Sequence, residues 1–353
     1  MATLVEEGEG RGYAQLVLNP FVQDWPPPLA AFIPPSLYKS YPVPGLSQLP
    51  ALRRWVGAEL DVFRPQLVHA LLPRAAVVVA SLPRRPRRAL LLTNAYGEGI
   101  RQVRPAWISE RLDRWAGKRF HRVVAVSTDV ERYLVSRHGY PSSKVVRISP
   151  GWRGQPLAAN REHLPPTIVC VAKLRPEKGH DVVLNAFRLV RDEVPDARLV
   201  LVGEGEARAR LEAQSRRLDL GESVHFAGVV DEVWPYLAEA HVFTLGSRSE
   251  AFGVAIAEAM AAGLPVVAPA VGGVLDLVSP GVSGQLFPKE DHAAMARHLV
   301  RLLTSPEERA RMGAAAKQAA NSYRIERTVA SYFSLYDEIL RRTRDAHHRA
   351  DDV

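Results

Sequence analysis

The sequence predicts an α/β protein built from two doubly wound, Rossmann-like units, each a parallel sheet wrapped by helices. From Leu164 onward, short apolar runs such as Thr167 to Ala172 and Leu199 to Val202 alternate with amphipathic segments of helical period. Strands buried on both faces read as continuous apolar runs, which is what these are. The same alternation, less regular, fills the first half around a proline-rich stretch from Pro26 to Pro50. At 353 residues, 47% hydrophobic and 24% charged, the chain is long enough for two cores.

Taken in order, the second half places strands near 167–172, 197–202, 223–226, 241–245, 265–268 and 285–287. Helices fall near 179–194, 206–219, 231–239, 253–262, 272–279, 290–303 and 306–321. In such a sheet the binding crevice lies beyond the carboxyl ends of the strands, so the loops after Ala172, Val202 and Leu245 are where a ligand is expected. The first half places strands near 14–19, 67–71, 89–93, 122–126 and 145–148, with helices near 51–63, 105–119 and 128–137. The expected division is residues 1–154 and 155–324, joined through a linker at Gln155 to Pro166. A last amphipathic helix spans 325–345, with a polar, frayed tail from Thr343.

Composition narrows the function classes. Cys170 is the only cysteine and sits in an apolar run, so an internal disulfide is excluded and core packing is its expected role. No stretch approaches the roughly 18 consecutive apolar residues of a spanning helix, and no basic-then-apolar leader opens the chain, so a cytoplasmic location is expected, with peripheral contact at the inner face of the membrane. The formal charge is +8, with basic clusters at Arg84-Arg85-Pro86-Arg87-Arg88 and from Arg111 to Arg122. They read either as a solvated arginine-rich surface or as a face for an anionic membrane or phosphorylated acceptor. The clusters lack interleaved stacking aromatics, which argues against nucleic acid.

The most informative stretch runs from Ser247 to Val267 and places Glu250 and Glu258 on either side of a Phe252-Gly253 turn that opens a helix closed by Gly263. A helix N-terminus offers unpaired N–H groups and the positive end of its dipole, a seat for an anion such as a diphosphate. Glu258, about a turn and a half into the helix, reaches past it toward hydroxyl groups; Glu250 precedes the turn and can face a sugar. A bare pair of glutamates at this spacing is usually a solvated helix face. Here the flanking Phe-Gly, the Gly-Leu-Pro-Val-Val that follows and Gly272-Gly273 make the stretch resemble the E-x7-E signature of GT4-type retaining glycosyltransferases, of GT-B fold.

That resemblance implies a donor site in the second domain and an acceptor site in the first. Lys173 and Lys178, in Lys-Leu-Arg-Pro-Glu-Lys-Gly after the strand ending at Ala172, match the family's basic pair that neutralises the departing nucleoside diphosphate. Lys173 stands where arginine is usual, which keeps the charge and loses the bidentate fork. With Glu250 these lysines form the expected catalytic set. The donor contacts are Gly203, Val229, Val230, Ala251, Phe252, Gly253, Val254 and Glu258. Gly203 lies in a Gly-Glu-Gly that lacks the third glycine of a dinucleotide fingerprint. Gly272-Gly273 fits phosphate contact and simple capping equally. With no Asp-x-Asp pair, zinc spacing or Ser/His/Asp order, the expected reaction uses no metal and no cofactor beyond a UDP-, GDP- or ADP-sugar donor.

The acceptor side is less defined. Asn94, Tyr96 and Glu98 are candidates to line it, or ordinary turn residues. His69 is a further candidate, weighed against a satisfied core histidine, and Trp152 is expected to pack at the domain junction. GT-B first domains open with a strand and a glycine-rich loop, and between Leu4 and Leu16 there is no room for both with a crossover helix. Gly8-Glu9-Gly10-Arg11-Gly12 reads as a turn. The first domain is therefore expected to lack its first strand and loop, and a non-catalytic sugar-nucleotide-binding remnant stays open beside the transferase.

Overall fold

Short parallel strands alternate with helices throughout the computed structural model, which describes residues 2–19, 36, 38–40, 48–83, 88–94, 106–161 and 163–351. In the second half β7 (Thr167–Val171), β8 (Arg198–Val202), β9 (Val224–Gly228), β10 (Val242–Thr244), β11 (Val266–Pro269) and β12 (Gly284–Phe287) form one parallel sheet in the order β12-β11-β10-β7-β8-β9. Between them run α6 (His180–Glu193), α7 (Arg208–Arg217), α8 (Trp234–Glu239), α9 (Val254–Ala261) and α10 (Val274–Leu277), and α11 (His292–Thr304) and α12 (Pro306–Ala320) follow. Ile168, Val169 and Cys170 are fully buried, as a strand sandwiched between helix layers requires. Burial pushes the Cys170 thiol up to about 12, so it stays protonated as a core residue. Strand order reverses between β7 and β10. The loops leaving these two strands therefore diverge and open a crevice.

The first half contains α1 (Ala2–Gly10), β1 (Val17–Asn19), β2 (Tyr38–Ser40), α2 (Leu49–Phe63), β3 (Leu67–Leu71), α3 (Leu72–Ser81), β4 (Ala89–Asn94), α4 (Ala106–Lys118), β5 (Arg122–Ala125), α5 (Thr128–Ser136) and β6 (Val145–Arg147). Its strands form two parallel sheets, β1-β2 and β3-β4-β5-β6. Leu52, Val56 and Leu60, one stripe of α2, meet both Leu18 of β1 and Val68 of β3, so a single helix spans the two sheets. Among the described residues no strand pairs β1 with β3.

Three expectations need correction. Helix α3 was not foreseen: β3 passes into it without a loop through Leu72, at φ +69, and Pro73 in its first turn. An apolar run that changes period in mid-course gives no boundary signal. Strand β2 likewise lies in the proline-rich stretch, where no strand was read. The last helix, α13 (Ile325–Asp351), continues past the expected end at 345 and takes in the segment from Thr343, whose hydroxyl donates to the Ile339 carbonyl at 2.8 Å. The Gly8 to Gly12 run closes α1, with Gly12 at φ +76.

Helix α13 returns to the first domain, where Tyr332, Leu335 and Ile339 pack on Leu91, Val124 and Ile148. The chain crosses at Trp152, whose N–H donates to the Tyr323 carbonyl at 2.8 Å and whose carbonyl accepts from Ile325 at 3.0 Å. Trp152 is buried there, with Arg324 stacked 4.6 Å from its ring centroid. A Cβ on Gly151 would lie 2.4 Å from the Ile325 Cα, so only glycine permits this crossing.

Candidate donor site

The crevice at the carboxyl ends of β7 and β10 is built from backbone before any side chain enters it. After β7 the chain from Ala172 to Gly179 lies against the loop after β8: Leu174 donates to Glu204 at 3.0 Å, and Ala207 donates back to Leu174 at 2.9 Å. Gly203, at φ +137, fits there because a Cβ would lie 2.1 Å from the Ala172 carbonyl oxygen. Gly203 thus fixes the loop that carries Lys173. Burial, followed by repulsion from Arg175 and Lys178, lowers the Lys173 pKa, the environment of a cation placed among cations.

Lys178 and Glu250 meet directly, Nζ to Oε2 at 2.6 Å, with both side chains largely buried. Ser247 Oγ donates to the same carboxylate oxygen at 3.3 Å. Three features bring the two loops together. Gly179, at φ +61, abuts Gly246 so closely that a Cβ would lie 1.9 Å from the Gly246 oxygen. The Arg248 N–H donates to the Glu177 carbonyl at 2.9 Å. The Arg248 guanidinium holds Asp181 through two bonds of 3.0 and 2.8 Å, Glu290 at 2.7 Å and the Pro176 carbonyl. This fork geometry suits arginine. Nothing in the sequence marked Arg248 or Asp181, because their roles depend on two loops 67 residues apart meeting in space.

Glu250 leads through Ala251 and the buried Phe252 into α9, whose N-cap Gly253, at φ +101, supplies no side chain to its uncapped first turn. The Phe252 ring points into the core, 5.5 Å from that of Tyr323, so only its backbone faces the crevice. Gly272 and Gly273 support the Glu250 turn: Gly273 donates to the Glu250 carbonyl at 2.8 Å, and a Cβ on Gly272 would lie 2.1 Å from that oxygen. Glu258 stands one and a quarter turns into α9, and its side chain makes no hydrogen bond or ion pair among the described residues. Burial raises its pKa to about 7. Val254 and Val229 are exposed, and Val230 packs partly into the core. The arrangement can hold an anion at the lysines and the α9 tip and offer carboxylates to hydroxyl groups on either side.

The first domain faces this crevice. The Thr128 N–H, at the carboxyl end of β5, donates to Asp276 of α10 at 2.7 Å, and Ala251 packs on the first domain's core. Its expected acceptor residues fare differently. His69 is a core histidine: its ring nitrogens bond Tyr336 at 2.8 Å and Thr93 at 2.7 Å, and burial lowers its pKa to about 3. The hydroxyl of Thr93 also meets that of Tyr332 at 3.0 Å, so His69 ties the sheet to α13. Asn94 ends β4. Tyr96 and Glu98 lie outside the described residues. Among the described residues no cluster of three or more His, Cys, Asp or Glu is arranged to hold a metal ion.

Comparison with known proteins places this geometry in context. Residues 158–319 match the family model described as glycosyl transferases group 1, and residues 1–152 match glycosyltransferase family 4. N-acetyl-alpha-D-glucosaminyl L-malate synthase of Bacillus anthracis is 31% identical over 175 residues, 49% of this chain and 46% of the relative. A GDP-mannose-dependent alpha-(1-6)-phosphatidylinositol monomannoside mannosyltransferase of Mycolicibacterium smegmatis is 29% identical over 266 residues, 69% of this chain and 68% of the relative. Among solved structures, Anabaena HepE in complex with UDP-glucose superposes with a TM-score of 0.72 at 22% identity, covering 84% of this chain and 85% of that one. That likeness shows the fold: two facing Rossmann-like domains. The chain spans about half the length of the first curated relatives it matches.

Proposed function

Because the chain belongs to the GT4-type glycosyltransferases of group 1, we propose that it moves a sugar from a nucleoside-diphosphate sugar to a hydroxyl acceptor, with retention of configuration and without a metal. The observation that carries this reading is the 2.6 Å meeting of Lys178 and Glu250 beside the uncapped tip of α9. Lys173, Lys178 and the N–H groups around Gly253 stabilise the charge that grows on the diphosphate as the glycosidic bond breaks. The acceptor hydroxyl attacks from the face the diphosphate leaves. Glu250, already oriented by Lys178 and Ser247, faces the sugar, and the unpartnered Glu258 receives the ribose hydroxyls. Gly203, Val229 and Val230 border the nucleotide. A UDP-sugar and a GDP-sugar are the first donors to test, given the UDP-glucose complex of the HepE neighbour and the GDP-mannose dependence of the mycobacterial relative.

The test is calorimetric titration with UDP-, GDP- and ADP-sugars, followed by release of nucleoside diphosphate from the donor that binds. Removing one preorganised charge donor costs about 2.7–4 kcal/mol of barrier, so Lys178→Ala lowers release a hundredfold or more. Equal turnover in that variant removes the lysine from the mechanism. The separation of β1-β2 from β3-β6 favours a second reading, a donor-binding protein without turnover. It predicts binding heat for a sugar nucleotide and no diphosphate release.

A further inference from the structure

The outer face of α4 combines large exposed apolar side chains with a surrounding ring of cations. Between Arg111 and Lys118 the exposed residues are Arg111, Leu112, Arg114, Trp115 and Lys118, whereas the helix's carboxylates, Glu110 and Asp113, are half-buried. Leu112 is 38% and Trp115 42% exposed, one helical step apart on the same side. Arg119 places its guanidinium 5.6 Å from the Trp115 ring centroid. Neighbouring elements add to the charge. Arg114 donates to the Arg137 carbonyl at the end of α5, and Lys144 donates to the Lys118 carbonyl at 3.2 Å, which sets two more basic residues against the helix. The opposite face is fixed: Ala116 is in the core, and a Cβ on Gly117 would collide with the Tyr140 hydroxyl, which donates to the Asp113 carbonyl at 2.8 Å.

We propose that this face of α4 docks the protein on an anionic lipid bilayer. A rigid helix whose solvent side carries tryptophan and leucine within a field of arginine and lysine matches the interface of such a membrane, where an indole sits at headgroup depth and cations meet acidic lipids. Among the described residues Trp115 is the only aromatic side chain of the exposed large hydrophobics, and Leu112 lies beside it. The Arg84–Arg88 cluster is a poorer anchor: Arg84 to Arg87 lie outside the described residues, and Arg88 turns inward to the Leu60 carbonyl at 3.1 Å.

This inference goes beyond the transferase reading and is tested without a donor, so either can fail alone. The full chain is floated with phosphatidylglycerol/phosphatidylcholine vesicles and with pure phosphatidylcholine vesicles at low and high salt. Binding to the anionic vesicles alone, released by salt, is expected. Each basic residue near such a surface contributes about a fivefold change in partition, so Arg111→Gln/Lys118→Gln lowers partition about 25-fold. Trp115→Ser lowers it independently while leaving the salt dependence in place. Both variants alter exposed side chains, and an unchanged melting curve verifies their folding. Flotation with neither vesicle, equal flotation with both, anionic binding unchanged in the double variant, or capture by a DNA oligomer in place of vesicles overturns the proposal.

Discussion

The two domains use close packing for opposite purposes. In the second, the tightest approaches are glycine against backbone at the crevice: Gly179 on Gly246, Gly203 on Ala172 and Gly272 on Glu250. Every one positions a loop that carries a candidate site residue. In the first, a polar network of His69 with Thr93, Tyr332 and Tyr336 holds α13 to the sheet. The candidate donor side is thus preorganised by main chain. The first domain's described polar network serves assembly.

The sharpest way to break this contrast is Gly179→Ala. The position combines φ +61 with a Cβ placed 1.9 Å from a carbonyl oxygen, so neither the residue nor its neighbour can yield without moving Lys178 away from Glu250. A misfit of both backbone conformation and packing belongs to the large class of single-residue effects, about 4 kcal/mol or more. Denaturant melts followed by fluorescence and by hydrogen exchange should place the loss in the second domain, with the α13 contact to the first domain retained. A variant as stable as the parent means that the loop contact is soft and the backbone account is wrong.

Next in size is the electrostatics of Glu258. Its folded-state pKa is about 7 against an ordinary 4.5, so between those values the folded protein holds a proton that the unfolded chain has lost. The stability this represents is intact below about pH 4.5 and declines as pH rises through 7. Fully expressed, the shift corresponds to an upper bound of about 3 kcal/mol. Glu258→Gln, which cannot ionise, should therefore melt above the parent at pH 8, with the gap closing toward pH 4. The same variant should bind nucleoside diphosphate more weakly, a stability gained at the expense of binding. A gap independent of pH removes burial as the cause.

What the sequence disclosed follows the same division. In the second domain every strand and helix was legible, because central strands buried on both faces leave unbroken apolar runs and glycines mark many of the tight turns. The loops that bring Glu250 and Lys178 together also carry the motifs from which those residues were proposed. The Arg248 clamp could not be read this way, since Asp181 and Glu290 are distant in sequence and each resembles an ordinary surface acid. In the first domain α3 was lost inside an apolar run that changes from strand to helix at Leu72, and β2 inside a proline-rich stretch. His69 has a histidine's catalytic potential in sequence. Only the proximity of α13, 267 residues on, shows both nitrogens engaged.

The smallest expected effect tests that last point. Thr93→Val keeps shape but removes the hydroxyl that meets His69 Nε2 at 2.7 Å and Tyr332 at 3.0 Å. Two buried polar atoms then lose a partner, and part of the loss returns as better burial of the methyl group, leaving about 2 kcal/mol. His69 itself stays neutral in the folded state, since its pKa of about 3 lies well below the ordinary 6.5. Stability from this group is therefore present above pH 6.5 and declines as pH falls. Hydrogen exchange should accelerate along Tyr332 to Ile339 of α13, while nucleoside diphosphate affinity, which the proposed function assigns to the other domain, stays at the parental value. If affinity falls in step with α13 protection, the latch and the crevice are one cooperative unit and the division of labour between the domains is wrong.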